Sequence, residues 1–261
     1  MIDFLYECPL CEPMIFDSHA HYDDPKFDGI RDELLAGLPR RGVCGVINCG
    51  CDTESSKKSL ALAESYPYIY AAAGIHPENI GGGTTAEIKA LAGHKKCVAI
   101  GEIGLDYYWV SDNKEDQKRL FEEQLELANS LSMPVIVHDR DAHADTLELL
   151  KKHRPKGVLH SFSGSAEMAA EILKLGMYLG IGGALTFKNA RKLPEVVEML
   201  PTDRLLLETD APYMTPVPYR SKLNHSAMIY FTAAKIAEIK NTSPETILNT
   251  SKKNTEKLFG I

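Results

Sequence analysis

The chain is poor in several features, and each scarcity narrows what it can be. Its six cysteines (Cys8, Cys11, Cys44, Cys49, Cys51 and Cys97) show no disulfide-scaffold spacing in 261 residues, so they read as reduced thiols. The last four read as buried small hydrophobes. Cys8-Pro9-Leu10-Cys11 is one CxxC without a second pair, too little for a zinc knuckle. No apolar run reaches the roughly 18 residues of a membrane span, and Met1 to Glu7 carry no basic cluster. The expectation is a cytoplasmic protein without a membrane partner. Positive charge is short as well: 29 Lys and Arg face 36 Asp and Glu, for a net charge of -7. No bulk field draws in nucleic acid, and any phosphate binding has to be local. There is no Walker A loop and no dinucleotide fingerprint; Gly180-Ile181-Gly182-Gly183 lacks both the spacing and the first-strand setting. No organic cofactor is therefore expected. Ser161 and Ser163 lie outside any Gly-x-Ser-x-Gly elbow and read instead as caps for a helix starting near Ala166.

What is present is a long alternation of short β-rich runs with segments of helical period. With 44% apolar and 25% charged residues, the chain is built to fold as a globular protein. Strand-like runs cover Met14 to Asp17, Val43 to Cys49, Tyr68 to Gly74, Val98 to Ile103, Pro134 to His138, Gly157 to His160, Met177 to Ile181 and Leu205 to Glu208. One intervening helix carries Leu120, Phe121, Leu125, Ala128 and Leu131 on one face, and another carries Met168, Ile172 and Leu175 before Gly176. Ser243-Pro244-Glu245 reads as the start of a terminal helix that covers the last strand. Eight βα units in about 250 residues predict an α/β fold, a single (β/α)8 TIM barrel. An open doubly wound sheet would want a Gly-rich loop after its first strand, where this chain has Asp17-Ser18-His19-Ala20-His21.

Imidazoles and carboxylates gather at the C-terminal ends of these strands, the rim where barrel active sites are built. His19 and His21 are two apart, so an extended backbone turns both rings to one side. Gly74-Ile75-His76-Pro77, Gly101-Glu102-Ile103-Gly104, His138-Asp139-Arg140, His160-Ser161 and Glu208-Thr209-Asp210 follow at the ends of later strands. Asp139 and Asp210 taken singly could be helix caps, but the histidines and Glu102 cannot be explained that way. Such a set without Cys suits Zn, Mn or Mg, and it exceeds what one catalytic ion with an open position uses. Two divalent metal ions bridged by a carboxylate, activating water for phosphodiester or amide hydrolysis, is the economical reading.

These residues also carry a resemblance. Asp17-Ser18-His19-Ala20-His21, Gly74-Ile75-His76-Pro77, Ala99 to Tyr108 (AIGEIGLDYY), Pro134 to His138 (PVIVH), His160-Ser161-Phe162-Ser163-Gly164 and Leu207 to Tyr213 (LETDAPY) resemble the TatD family of metal-dependent deoxyribonucleases, in order and spacing from about Ile15 to Phe259. The resemblance implies a barrel domain over residues 14–261, DNA as substrate, and residues 1–13 as an N-terminal extension. It implies that His19, His21, Glu102 and Asp210 surround one metal and Glu102, His138 and His160 the other, with His76 near substrate. On that pattern Asp210 and Glu102 are the catalytic carboxylates, with Asp210 taking the proton of the attacking water. Asp17 and Glu208, two residues before a ligand on the same strand face, are expected to orient imidazoles or tune the metal water. The loop Arg220-Ser221-Lys222-Leu223-Asn224 keeps the family's Arg, Lys and Asn, and Arg220 and Lys222 are the expected phosphate contacts. Attack from chain ends or single strands follows from a metal pair at the base of a pocket. The alternatives are an amidohydrolase acting on a small cyclic amide or ester, and a metal-bound nucleic-acid-binding protein without turnover.

Overall fold

A computed structural model describes residues 14–261. Cys8, Cys11 and the expected extension lie outside the described residues. Eight strands follow one another around a single parallel sheet in sequence order: β1 (Ile15–Ala20), β2 (Val43–Cys49), β3 (Ile69–Ala73), β4 (Cys97–Asp106), β5 (Val135–Arg140), β6 (Gly157–Leu159), β7 (Tyr178–Ile181) and β8 (Leu205–Leu207). The ends meet through an Ala20–Ala211 bridge, with Asp210 N donating to His19 O at 3.0 Å and His21 N to Ala211 O at 2.7 Å. The result is the expected (β/α)8 barrel, nearly closed.

The helices are α1 (Arg31–Gly37), α2 (Thr53–Ser65), α3 (Thr85–Ala92), α4 (Lys114–Leu131), α5 (His143–His153), α6 (Ala166–Lys174), α7 (Leu193–Met199), α8 (Ile229–Lys240) and α9 (Pro244–Phe259). Apolar side chains from every strand, among them Phe16, Ile47, Ala72, Val98, Ile136, Val158, Tyr178 and Leu206, pack into one cluster that fills the barrel. Leu258 and Phe259 of α9 join that cluster. Ser251 and Asn254 of α9 also hold β8, through Leu207 N and Leu205 O, so the terminal helix covers the last strand as its sequence signals imply. Ser243 caps α9 by accepting from Thr246 N. Gly176, at φ 81°, follows α6 in the left-handed conformation that favours glycine. No described helix is long and apolar enough to cross a membrane.

Three strands run further than periodicity implies, among them β5, which continues two residues past His138 to Arg140. β1 extends to Ala20 and β4 to Asp106, because their neighbours continue the ladder, pairing Ala20 with Asn48 and Asp106 with Arg140. The extra residues carry His19 and Asp106 on strands rather than loops. The cap of α6 is also displaced from expectation. Ser165, not Ser161 or Ser163, accepts from Met168 N, because the cap has to stand one residue before the helix.

Candidate metal centre

Glu102 occupies the middle of the C-terminal face, 3% exposed. Its Oε2 lies 3.3 Å from His19 Nε2 and 3.4 Å from His21 Nε2. Its Oε1 lies 2.7 Å from His160 Nε2, 2.9 Å from His138 Nδ1 and 3.4 Å from His76 Nε2. The two oxygens of one carboxylate thus face two different sets of imidazoles. Asp210 completes the first set, with Oδ1 at 3.6 Å from His19 Nε2 and 3.5 Å from His21 Nε2. It follows β8 with φ 58°, a left-handed conformation that Asp tolerates better than most residues. His21 reaches the set as the pattern of two requires, its Nε2 2.9 Å from that of His19.

Burial opposes ionisation of Glu102, yet the surrounding imidazoles, His160 and His19 foremost, hold its carboxyl well below the usual range. Burial pushes His19 down to about 4, with His160 adding to the effect. The two rings stack at 3.9 Å between centroids. Against the same desolvation, His138 is pushed up to about 10 by Asp106 and Glu102, which grip its two nitrogens. Burial raises Glu208 to about 8. A Cβ at Gly180 would collide with Oε2 of Glu208, so this glycine makes room for the buried acid.

Oxygen and imidazole donors suit a borderline divalent ion. Among the described residues, ligand atoms lie within 4.8 Å of one another in the groups His19/His21/Asp210, His19/Glu102/His160, His21/Cys51/Glu102 and His76/Glu102/His138. Two further features fit such ions. His19 Nε2 and His21 Nε2 face each other and two carboxylates, an arrangement that cations between them resolve. His160 Nδ1 and Glu208 Oε2 are buried without a hydrogen-bond partner, while Nδ1 stands 3.9 Å from Glu208 Oε1. A ligand on Nε2 keeps the His160 proton on Nδ1, facing that acid. The overlapping clusters sharing Glu102 make a binuclear divalent metal site.

Several expected roles differ from the geometry. Asp17 orients no imidazole: its carboxylate accepts from His19 N, Thr209 N, Thr209 Oγ1 and Ser226 Oγ, fastening β1 to the end of β8. An irregular register between Asp17 and Ala20 interrupts the alternation that would have placed it with the histidines. Glu208 does stand beside His160, and also accepts from Ser161 N. His76 lines the cleft with its Nε2 3.4 Å from Glu102 Oε1, and its Nδ1 accepts from Glu78 N to stiffen the turn. Arg220 and Lys222 do not line the cleft above the cluster, about 820 Å3 in volume. Arg220 lies over the Phe187 ring and donates to Thr215 O. Among the described residues, Arg140 is the arginine or lysine on the cleft wall.

Sequence reasoning missed Asp106, whose Oδ2 is 2.9 Å from His138 Nε2. The signal was available, since Asp106 follows Glu102 by four residues on one strand and so shares its face. It also passed over Cys51, with Sγ 3.8 Å from His21 Nδ1, and Cys49, with Sγ 3.4 Å from His19 Nδ1. Both had been assigned to plain packing.

The profile of the TatD related DNase family matches residues 16–260. The chain belongs to the TatD family. It is 40% identical over 254 residues to the metal-dependent hydrolase YabD of Bacillus subtilis, covering 95% of this chain and 100% of that one. It is 35% identical over 256 residues to the 3'-5' ssDNA/RNA exonuclease TatD of Cronobacter sakazakii, covering 94% and 97%. The crystal structure of the TatD homologue YjjV from Escherichia coli superposes with a TM-score of 0.88 at 34% identity, covering 95% and 99%. Membership of the TatD family and the binuclear site together make this chain a metal-dependent hydrolase, which sets aside a binding protein without turnover.

Proposed function

We propose that this TatD-family hydrolase is a deoxyribonuclease that removes nucleotides from chain ends or single-stranded regions. The observation that carries the reading is the split of Glu102, one oxygen toward each set of imidazoles, at the base of an open cleft. His19, His21, Asp210 and Oε2 of Glu102 would hold one ion, and His138, His160 and Oε1 the other. Zn, Mn or Mg suits this donor set. Two such ions, when bound, supply Lewis acidity and bring the pKa of a water toward neutrality.

The protein's own groups do the rest. Asp210 lines the cleft, and its side chain is 24% exposed against 4% for Glu102, so it is the carboxylate placed to accept a proton from incoming water. Burial opposes its ionisation, but its hydrogen bond with His21 and the charge of His19 hold its carboxyl below the usual range, ionised and ready to accept. Glu208 and Asp106 orient His160 and His138 from behind. Arg140 meets phosphate at the wall, and Arg220 and Lys222 meet a strand leaving the cleft. A small cyclic amide would leave all three cations unengaged. The barrel over residues 14–261 is the catalytic domain, residues 1–13 are an addition to it, and the enzyme works in the cytoplasm.

A digest of labelled single-stranded DNA, duplex DNA and RNA by metal-reconstituted protein tests this. Mononucleotides released early from single-stranded DNA, abolished by chelator, are expected. Rapid nicking of supercoiled plasmid without mononucleotide release would overturn attack from ends, and no release from any DNA would overturn the nuclease reading.

A further inference from the structure

We propose that Tyr108, Trp109 and Arg140 form a stacking subsite for one unpaired base of single-stranded DNA at the rim of the cleft. The inference rests on the nuclease reading and adds to it the groups that recognise the substrate.

Tyr108 is 54% and Trp109 62% exposed, unusual for the two bulkiest kinds of aromatic in a well-packed barrel. Their rings meet edge to face at 4.8 Å, and the Arg140 guanidinium stands 4.1 Å from the Tyr108 centroid and 5.2 Å from that of Trp109. More than half of each aromatic side chain remains open after these contacts. Trp109 and Arg140 line the same cleft as His138 and Asp210. Tyr213 also lines this cleft, 44% exposed, but its hydroxyl donates to Asp24 and Lys26 lies over its ring. Three further aromatics near the strand ends are engaged away from it. Phe162 is buried, Tyr107 donates its hydroxyl to Asp145, and Phe187 lies under Arg220.

The mount of this pair is rigid and tied to the metal centre. Oδ1 of Asp106 accepts from Tyr108 N at 2.9 Å and Trp109 N at 2.8 Å, while Oδ2 of the same carboxylate holds His138 Nε2. Gln117 of α4 clamps the segment from the other side, exchanging hydrogen bonds with the Asp106 backbone and donating to Val110 O. The β4–β5 ladder pairs Asp106 with Arg140. One acid therefore sets the aromatic pair and a metal-facing imidazole in a single frame, so a base resting on the pair is held at a constant distance from the centre. An exposed π-face beside a fixed cation matches a nucleotide, whose base stacks on aromatics and whose phosphate pairs with Arg. A base inside a duplex already has both faces covered, so an unpaired base is the occupant.

Trp109 is the only tryptophan in the chain, so its emission reports on the subsite alone. The metal-loaded protein is titrated with a nuclease-resistant phosphorothioate hexathymidylate and with an abasic phosphorothioate of equal length. The thymidylate is expected to quench Trp109 saturably and to bind roughly tenfold more tightly than the abasic strand. By anisotropy of the labelled thymidylate, Trp109→Ala binds roughly tenfold more weakly and Trp109→Phe recovers most of the loss. The alanine variant also raises KM for the unmodified oligonucleotide several times more than KM for bis-p-nitrophenyl phosphate. Equal affinity for the two strands, unchanged affinity in Trp109→Ala, or no binding of thymidylate overturns the subsite. Saturable quenching without hydrolysis of any DNA leaves the subsite standing and removes the nuclease reading. Hydrolysis of single strands with no preference over the abasic strand does the reverse.

Discussion

At the scale of single residues, the centre depends on a carboxylate that cannot be shared out twice. Because Oε2 of Glu102 faces His19 and His21 while Oε1 faces His138 and His160, losing its charge weakens both positions together. Glu102→Gln is expected to lower metal content at both and to reduce activity by more than the roughly 10–100-fold typical of losing an outer hydrogen-bond partner. Metal analysis after dialysis decides it, and full occupancy at either position would rule out the bridge. A second prediction concerns a histidine away from the cluster. Burial, and then the charge of Arg41, push His225 down to about 4 from 6.5. The folded state keeps it neutral where the unfolded chain takes up a proton, so its contribution is complete above pH 6.5 and is lost as pH falls toward 4. The loss amounts to roughly 3 kcal/mol at about 1.4 kcal/mol per pKa unit. In His225→Gln the thermal midpoint should fall less steeply between pH 6.5 and 4 than in the unmodified protein; parallel curves would contradict this.

At the scale of elements, the seam between the first and last strands is the part of the barrel with the fewest ladder bonds. Asp17 compensates from β1 by accepting from two backbone amides and two hydroxyls on both sides of the seam. Asp17→Ala leaves four donors without this acceptor, at about 1–3 kcal/mol for each one that stays unsatisfied. The expected drop in thermal midpoint is on the order of 10 °C, given roughly 2–4 °C per kcal/mol in a barrel of this size. The drop should be the same with metals and in chelator. If it vanishes in chelator, Asp17 acts through the ions and the seam role is wrong. Element boundaries show the same dependence on neighbours. Val43 to Cys49 forms β2 as its apolar run implies, whereas β4 continues three residues past Ile103 because β5 is there to pair with it.

For the whole molecule, a net charge of -7 leaves binding of a polyanion to a few placed cations. Arg140, on the cleft wall, is expected to matter more than Arg220 or Lys222. Arg140→Ala should flatten the salt dependence of oligonucleotide affinity by about 0.7 in log–log slope, the value of one contact to a single strand, and Arg220→Ala by less. Slopes measured by anisotropy over a salt series test the order, and an unchanged slope in Arg140→Ala would refute it.

The sequence by itself determined the barrel, through eight alternating βα units, and the stock of donors, through imidazoles and carboxylates set at strand ends in steps of two. Those properties are periodic and local, so composition and spacing carry them. Tertiary structure alone decided the partners. Neighbouring strands of this parallel barrel are separated by 16 to 28 residues of crossover, and their lateral register follows from how the whole sheet packs, not from any period along one strand. For that reason Asp17 could be placed on β1 but not seen to turn to Thr209 and Ser226 across the seam. Likewise Asp106 could be read as a motif residue, but its grip on His138 exists only once β4 and β5 lie side by side.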